Sequence, residues 1–126
     1  MMKKVAAIFI LIFLLPSMLL AKRDHPERWY QVHWCKAHAG QIEVVLPDGT
    51  RCDCLTDTHA IEFDFGSNWA EAIGQSAYYG LQTGKKAGIV LVLETVKDRK
   101  YWIRLNTTIE HFGLQIDTWN VGDAAY

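Results

Sequence analysis

Three carboxylates are spaced so that they could act together: Asp53, then Glu62 and Asp64 on one later run. His59 to Phe65 (HAIEFDF) alternates, putting Ile61, Phe63 and Phe65 on one face of a strand and Glu62 and Asp64 on the other. Arg51 to Leu55 reads as the preceding strand, joined by the polar turn Thr56-Asp57-Thr58, so Asp53 can face the pair. Like charges opposed across neighbouring strands repel and would weaken a purely structural sheet. A hard divalent cation resolves that repulsion. Mg²⁺ (or Mn²⁺) takes carboxylates plus several waters and leaves positions open for phosphate oxygens. It can then sharpen a bound water as nucleophile and offset charge on a leaving group. Asp53, Glu62 and Asp64 are therefore the candidate metal ligands. The plain alternative is three solvent-facing acids of a half-exposed sheet.

The elements that must position these acids follow from pattern. Pro26-Glu27-Arg28 opens a helix that Gly40 ends, and Gln41 to Leu46 alternates as a strand. Pro47-Asp48-Gly49-Thr50 is a turn. After the two acid-bearing strands, Gly66-Ser67-Asn68 punctuates the chain. Trp69 to Gln82 is predicted helical, with Trp69, Ile73 and Ala77 on its inner stripe. Ala87 to Leu93 is continuously apolar, which marks a strand buried on both faces. Tyr101 to Leu105 reads as a strand, Thr107 to His111 as a short helix and Leu114 to Val121 as a last strand. A buried strand directly after a helix implies a crossover to a parallel neighbour. The expected class is α/β: a mixed sheet with helices on both faces, in the order α-β-β-β-α-β plus a C-terminal tail.

Gly49-Thr-Arg-Cys-Asp53, Ile61-Glu62-Phe63-Asp64 and Gln75-Ser-Ala-Tyr78-Tyr79, in that order, resemble the PD-(D/E)XK nuclease superfamily, and most of all its RecB-like exonuclease branch. The likeness spans about Glu27 to Leu93. It implies a restriction-endonuclease-like three-layer core, with Gln75 and Tyr79 matching the branch's Gln-x-x-x-Tyr helix. At i and i+4 these two share one helical face, where they would brace the site or contact a nucleic-acid backbone. The chain departs from the family at Asp64, which stands where the motif has Lys. Asp64 as an extra metal ligand, or Lys85 or Lys86 swinging back, would compensate. Otherwise the domain keeps the fold without the catalysis.

Other residues carry competing readings. Glu27 is either an extra acidic ligand or a helix-N-terminal charge. His33, His38, His59 and His111 have no partner pattern, and Glu71 is either part of the site or solvated. Tyr78, Trp69, Trp102 and Trp119 would stack on bases or pack in the core. Lys97, Arg99, Lys100 and Arg104 form the one basic run, which would hold phosphates or solvate a loop.

Residues 1–21 have a basic start, an apolar stretch from Val5 to Leu20 and a small residue, Ala21, before Lys22-Arg23-Asp24. That is the pattern of a cleaved secretory signal, with an uncleaved anchor as the alternative. The expected mature domain is 22–126, secreted or periplasmic. Removing Lys3 and Lys4 leaves 11 Lys and Arg against 14 Asp and Glu, a net charge of −3. That balance counts against a passive nucleic-acid-binding module. Of the three cysteines, Cys35 pairs with Cys52 or Cys54 in an oxidising compartment, leaving one thiol. Zinc with His33 and His38, or free thiols, are the alternatives. Together these readings give an exported Mg²⁺-dependent phosphodiesterase acting on DNA, with RNA as an alternative substrate. The rival is a catalytically silent nuclease-fold domain that binds a protein or a metal.

Overall fold

The apolar run after the second helix becomes a central strand. In the computed structural model, which describes residues 23–126, Lys86–Val92 (β4) lies between His59–Phe65 (β3) and Ile116–Val121 (β5), parallel to both. The expectation of a secretory signal at 1–21 falls outside the described residues. On its other side β3 pairs antiparallel with Arg51–Leu55 (β2), which pairs antiparallel with Gln41–Val45 (β1). The five strands thus run in sequence order across one mixed sheet. Glu27–Ala37 (α1) covers one face, while Trp69–Thr83 (α2) and Arg99–Phe112 (α3) cover the other. The α/β class with helices on both faces is as the sequence predicted.

Each face buries one set of alternating residues. Ile61, Phe63 and Val90 meet Cys35 and Trp34 of α1. Ile89, Leu91 and Leu93 meet Ala72 of α2 and Leu105 of α3. Because β3 alternates, its Ile61/Phe63 face commits Glu62 and Asp64 to the α2 side.

Two expectations need correction. Tyr101 to Leu105 is not a strand but part of α3, so the region taken as a tail supplies a second strand–helix–strand unit, β4-α3-β5. The aromatic and β-branched residues suggested a strand, but α3 needs only a one-sided stripe. Tyr101, Trp102, Leu105 and Ile109, at helical spacing, pack on the core and outweigh local propensity. Of the expected inner stripe of α2, Trp69 and Ile73 pack on the core, but Ala77 is exposed and the fully buried positions are Ala72 and Ser76. Small residues face the sheet there because α2 packs closely against β3 and β4. No helix among the described residues is long and apolar enough to cross a membrane.

The start of α1 is anchored by one carboxylate. Glu94, buried just after β4, accepts hydrogen bonds from the Asp24 backbone N–H (2.8 Å) and the Tyr30 hydroxyl (3.0 Å), and pairs with Arg23 at 3.4 Å. Hydrogen bonds to a charged acceptor are stronger than neutral ones, and Tyr30 is itself buried. Glu94→Ala is therefore expected to cost about 2 kcal/mol in a denaturant melt. A change within experimental error would show that the segment docks without this carboxylate.

Candidate functional site

Asp53 does not sit in a regular ladder. Pairing between β2 and β3 is confined to Cys54–Ile61 and Leu55–Ala60. Beyond it the Phe63 N–H donates to Asp53 Oδ2 at 2.8 Å, so a side chain takes the place of a strand acceptor. On the other edge of β2, pairing lapses between Ile42–Cys54 and Val44–Cys52, where Glu43 stands opposite Asp53. Glu43 adopts φ +52°, a left-handed conformation that a residue with a Cβ takes up at a cost of about 1 kcal/mol or more. Buried Gln31 of α1 fills the gap, its Nε2 donating to Glu43 Oε1 (2.9 Å) and to the Asp53 carbonyl (2.6 Å). The distorted strand pair thus turns Glu43 and Asp53 toward α1 and β3.

Four carboxyl groups are raised together here, Glu27 on α1, Asp53 on β2, and Glu62 and Asp64 on β3, and Glu43 on β1 adds its charge to Glu27 and Asp53. Glu62 is only 5 % exposed and Asp64 8 %. Burial, then the charge of Asp53 and its hydrogen bond to Glu62, push the Glu62 carboxyl far above the usual carboxylate range. Burial likewise raises Asp53 and Asp64. Glu27 is pushed up to about 7, first by burial and then by Asp64, Asp53 and Glu43.

With every carboxyl ionised, Glu62 Oε2 is a buried oxygen with no hydrogen-bond donor. Its neighbours Asp53 and Asp64 are acceptors too, so only a shared proton or a cation can satisfy it. Neither ion pair among the described residues, Arg23–Glu94 or His59–Asp117, reaches this cluster. The oxygen-only donor set suits a hard cation such as Mg²⁺. Among the described residues, no three His, Cys, Asp or Glu side chains are already arranged as a metal cage.

The remaining site candidates separate. Tyr79 lies against the cluster, its phenol pushed up by burial and by Glu62 and Asp53, and it packs on Cys52 and Ala60. Gln75 is exposed one turn earlier on α2 and meets none of these acids by a hydrogen bond. Asn68 Nδ2 reaches Asp64 Oδ1 at 3.4 Å. Glu71 is exposed at the start of α2 and contributes charge toward Asp64. Asp48 belongs to the β1–β2 turn, accepting from Thr50 and from the Tyr78 hydroxyl, and is no part of the cluster. Trp69 and Trp102 pack on the α2–α3 core and Trp119 on the α1 side, so none offers a free stacking face as its main role. In the basic run, Arg99 is tied to the Ala124 carbonyl.

Neither Lys85 nor Lys86 replaces the motif lysine. Lys85 Nζ donates to the Thr56 carbonyl at 2.5 Å, and Lys86 pairs with His59 at the opposite end of β3 from Asp64. Five residue rises along the strand separate those ends, roughly 17 Å.

No family model matches the chain, and neither curated proteins nor solved structures give a significant match.

Two acids gained weight over their sequence reading. Glu27 is a cluster member rather than a detached helix-end charge. Glu43 was missed. The available signal was an acid at the centre of an otherwise apolar strand, Gln41-Ile-Glu43-Val-Val45, beside the strand carrying Asp53.

Among the cysteines, Cys35 and Cys54 stand at disulfide distance, with Cα atoms 5.9 Å apart, and Cys52 is a buried free thiol. Burial raises that thiol to about 11, so it stays protonated and unreactive at neutral pH.

Proposed function

We propose that the carboxylate cluster binds a divalent cation and that the protein is a Mg²⁺- or Mn²⁺-dependent phosphodiesterase acting on DNA, exported from the cytoplasm and built on a PD-(D/E)XK-like fold. The observation that carries this reading is the buried, donor-less Glu62 Oε2 set between Asp53 and Asp64. Asp53, Glu62 and Asp64 are the proposed ligands, with Glu27 and Glu43 close enough to tune their charge. The bound cation supplies Lewis acidity: a more acidic water and charge relief at the phosphate.

The chain's own residues contribute the rest. The Phe63 N–H holds Asp53 in one rotamer. Glu62 and Glu27 release protons as the cation enters, which ties binding to pH. Tyr79 closes the cluster on the α2 side, and on this reading Gln75, exposed one turn away, meets the phosphodiester backbone. Excess negative charge at the site disfavours nucleic acid until the cation is bound.

A second reading has its own observation. Asp64 stands where a lysine would stabilise the transition state, and Lys85 is held elsewhere by Thr56. On that reading the domain binds a metal or a protein without cutting DNA.

The two separate in one experiment. Protein is incubated with linear and plasmid DNA in Mg²⁺ and in Mn²⁺, beside an Asp53→Ala/Glu62→Ala double variant, and thermal melts are recorded with each metal. The expected result is cleavage by the parent, lower by about a hundredfold or more in the variant, together with a metal-dependent rise in Tm. Equal inertness with a rise in Tm selects the silent metal-binding domain. Inertness without any rise removes the cation site as well.

A further inference from the structure

A second polar constellation lies at the other end of β3. His59 Nε2 is 2.6 Å from Asp117 Oδ2 on β5, and His59 Nδ1 is 2.7 Å from Thr58 Oγ1. The reach to Asp117 spans β4, where His59 is in register with Lys86 and Asp117 with Gly88. The space over Gly88 is covered by Ile61 and Trp119, whose side chains a Cβ there would meet at 2.5 and 2.8 Å. A carboxylate can only accept, so Nε2 carries the hydrogen and Nδ1 is left as the acceptor for the Thr58 hydroxyl. That is the order hydroxyl, base, carboxylate used to activate an alcohol nucleophile.

The surroundings are built to hold that order. Thr56 Oγ1 accepts from the Thr58 N–H (3.3 Å) and the His59 N–H (3.0 Å), fixing the turn that carries Thr58. Lys85 Nζ, on the Thr56 carbonyl, brings a positive charge to the same turn. The His59 ring stands edge-on to Trp119, centroids 5.2 Å apart. Thr58 and His59 open on a cavity of about 240 Å³ whose apolar walls are Trp34, Ile61 and Trp119. Thr58 is exposed at its mouth, whereas the His59 side chain is 16 % exposed.

We propose that Thr58, His59 and Asp117 form an acyl-acceptor site that takes a short apolar acyl group from an activated ester or thioester. Thr58 Oγ1 attacks the acyl carbonyl as His59 Nδ1 takes its proton. The tetrahedral adduct collapses by breaking the bond to the leaving alcohol or thiol, which receives that proton from His59. The products are an O-acyl-Thr58 ester and the free alcohol or thiol, and water attacking by the same route returns the hydroxyl. Thr58 and His59 are the catalytic residues. Asp117 is a positioning residue that fixes the tautomer. None of the three belongs to the carboxylate cluster, so this site stands or falls separately from the phosphodiesterase reading.

The test uses p-nitrophenyl acetate and p-nitrophenyl butyrate with the parent and with Thr58→Val, Thr58→Ser, His59→Gln and Asp117→Asn. Nitrophenol release is followed alongside intact mass and peptide mapping. The parent should gain the mass of one acyl group at Thr58, and Thr58→Ser should keep the reaction. Thr58→Val should abolish it, and His59→Gln and Asp117→Asn should slow it by about a hundredfold. Imidazole ¹⁵N shifts should report Nε2–H at His59 in the parent and a change of tautomer in Asp117→Asn, a signature that loss of packing alone would not produce. Absence of the acyl adduct, an adduct on lysines alone, or equal rates in Thr58→Val and the parent would overturn the proposal.

Discussion

Glu62→Gln is expected to be more stable than the parent at pH 8 without metal, by about 2–4 kcal/mol. The parent must either ionise a carboxyl that is 5 % exposed among other acids or keep a proton on it at an unfavourable pH. Glutamine has the same shape, never ionises, and its Nε2 can donate to Asp53 or Asp64. The sign follows from linkage. These carboxyls have folded values raised above their unfolded ones, so their contribution is full below about pH 4.5 and is lost as pH rises through the raised values. Glu27, at about 7, places part of that loss within the neutral range. Water screens this half-buried group, so its share is only about 1–2 kcal/mol. The parent's Tm should therefore fall between pH 5 and pH 8, and Glu62→Gln should flatten most of that fall while matching the parent at pH 5. Divalent metal should restore the parent at pH 8 and do little for the variant. Thermal melts at both pH values, with EDTA and with Mg²⁺, check this. A parent whose Tm is flat over that range would show that the acids are solvated as ordinary surface groups.

The sequence was most informative where one period dominated. Ile61 to Phe65 alternates strictly, which by itself sets Glu62 and Asp64 on the opposite face of β3 from Ile61, Phe63 and Phe65. AGIVLVL is apolar on both faces, the mark of a strand buried on both sides, and it forms the central strand β4. Tyr101 to Leu105 failed because aromatic and β-branched residues are shared by strands and by the buried stripe of a helix. The sheet needed a cover over β4 and β5, and α3 supplies it. Glu43 was illegible for a different reason. Its participation depends on a left-handed backbone and on Gln31 arriving from α1, and neither is encoded in local spacing. Glu27 needed the same long-range fact, the docking of α1 against β2 and β3. His59 looked isolated because its partner Asp117 is 58 residues away and meets it across an intervening strand.

Loss of the Cys35–Cys54 link should have the other large effect. It joins α1 to β2 across 19 residues of sequence, and closing a loop of that size stabilises by about 3 kcal/mol. For a domain of this length the corresponding fall in Tm is on the order of 15 °C. Cys35→Ser/Cys54→Ser should show it. Under denaturing conditions the parent should release one thiol, Cys52, whereas three would mean that the link does not form. Gly40 gives an independent check, because a Cβ there would lie 2.6 Å from both sulfurs. Gly40→Ala should therefore destabilise the oxidised parent more than it destabilises the double-serine variant. The consequence reaches the site. Gln31 and Glu27 ride on α1, and Gln31 is what holds Glu43 and the Asp53 backbone in their distorted pairing. With α1 untethered that pairing should relax and the acids move apart. The double-serine variant should then lose part of the parent's fall in Tm from pH 5 to pH 8 and show a smaller response to Mg²⁺. A variant that is less stable yet keeps the full pH slope would mean that β2 and β3 alone assemble the cluster.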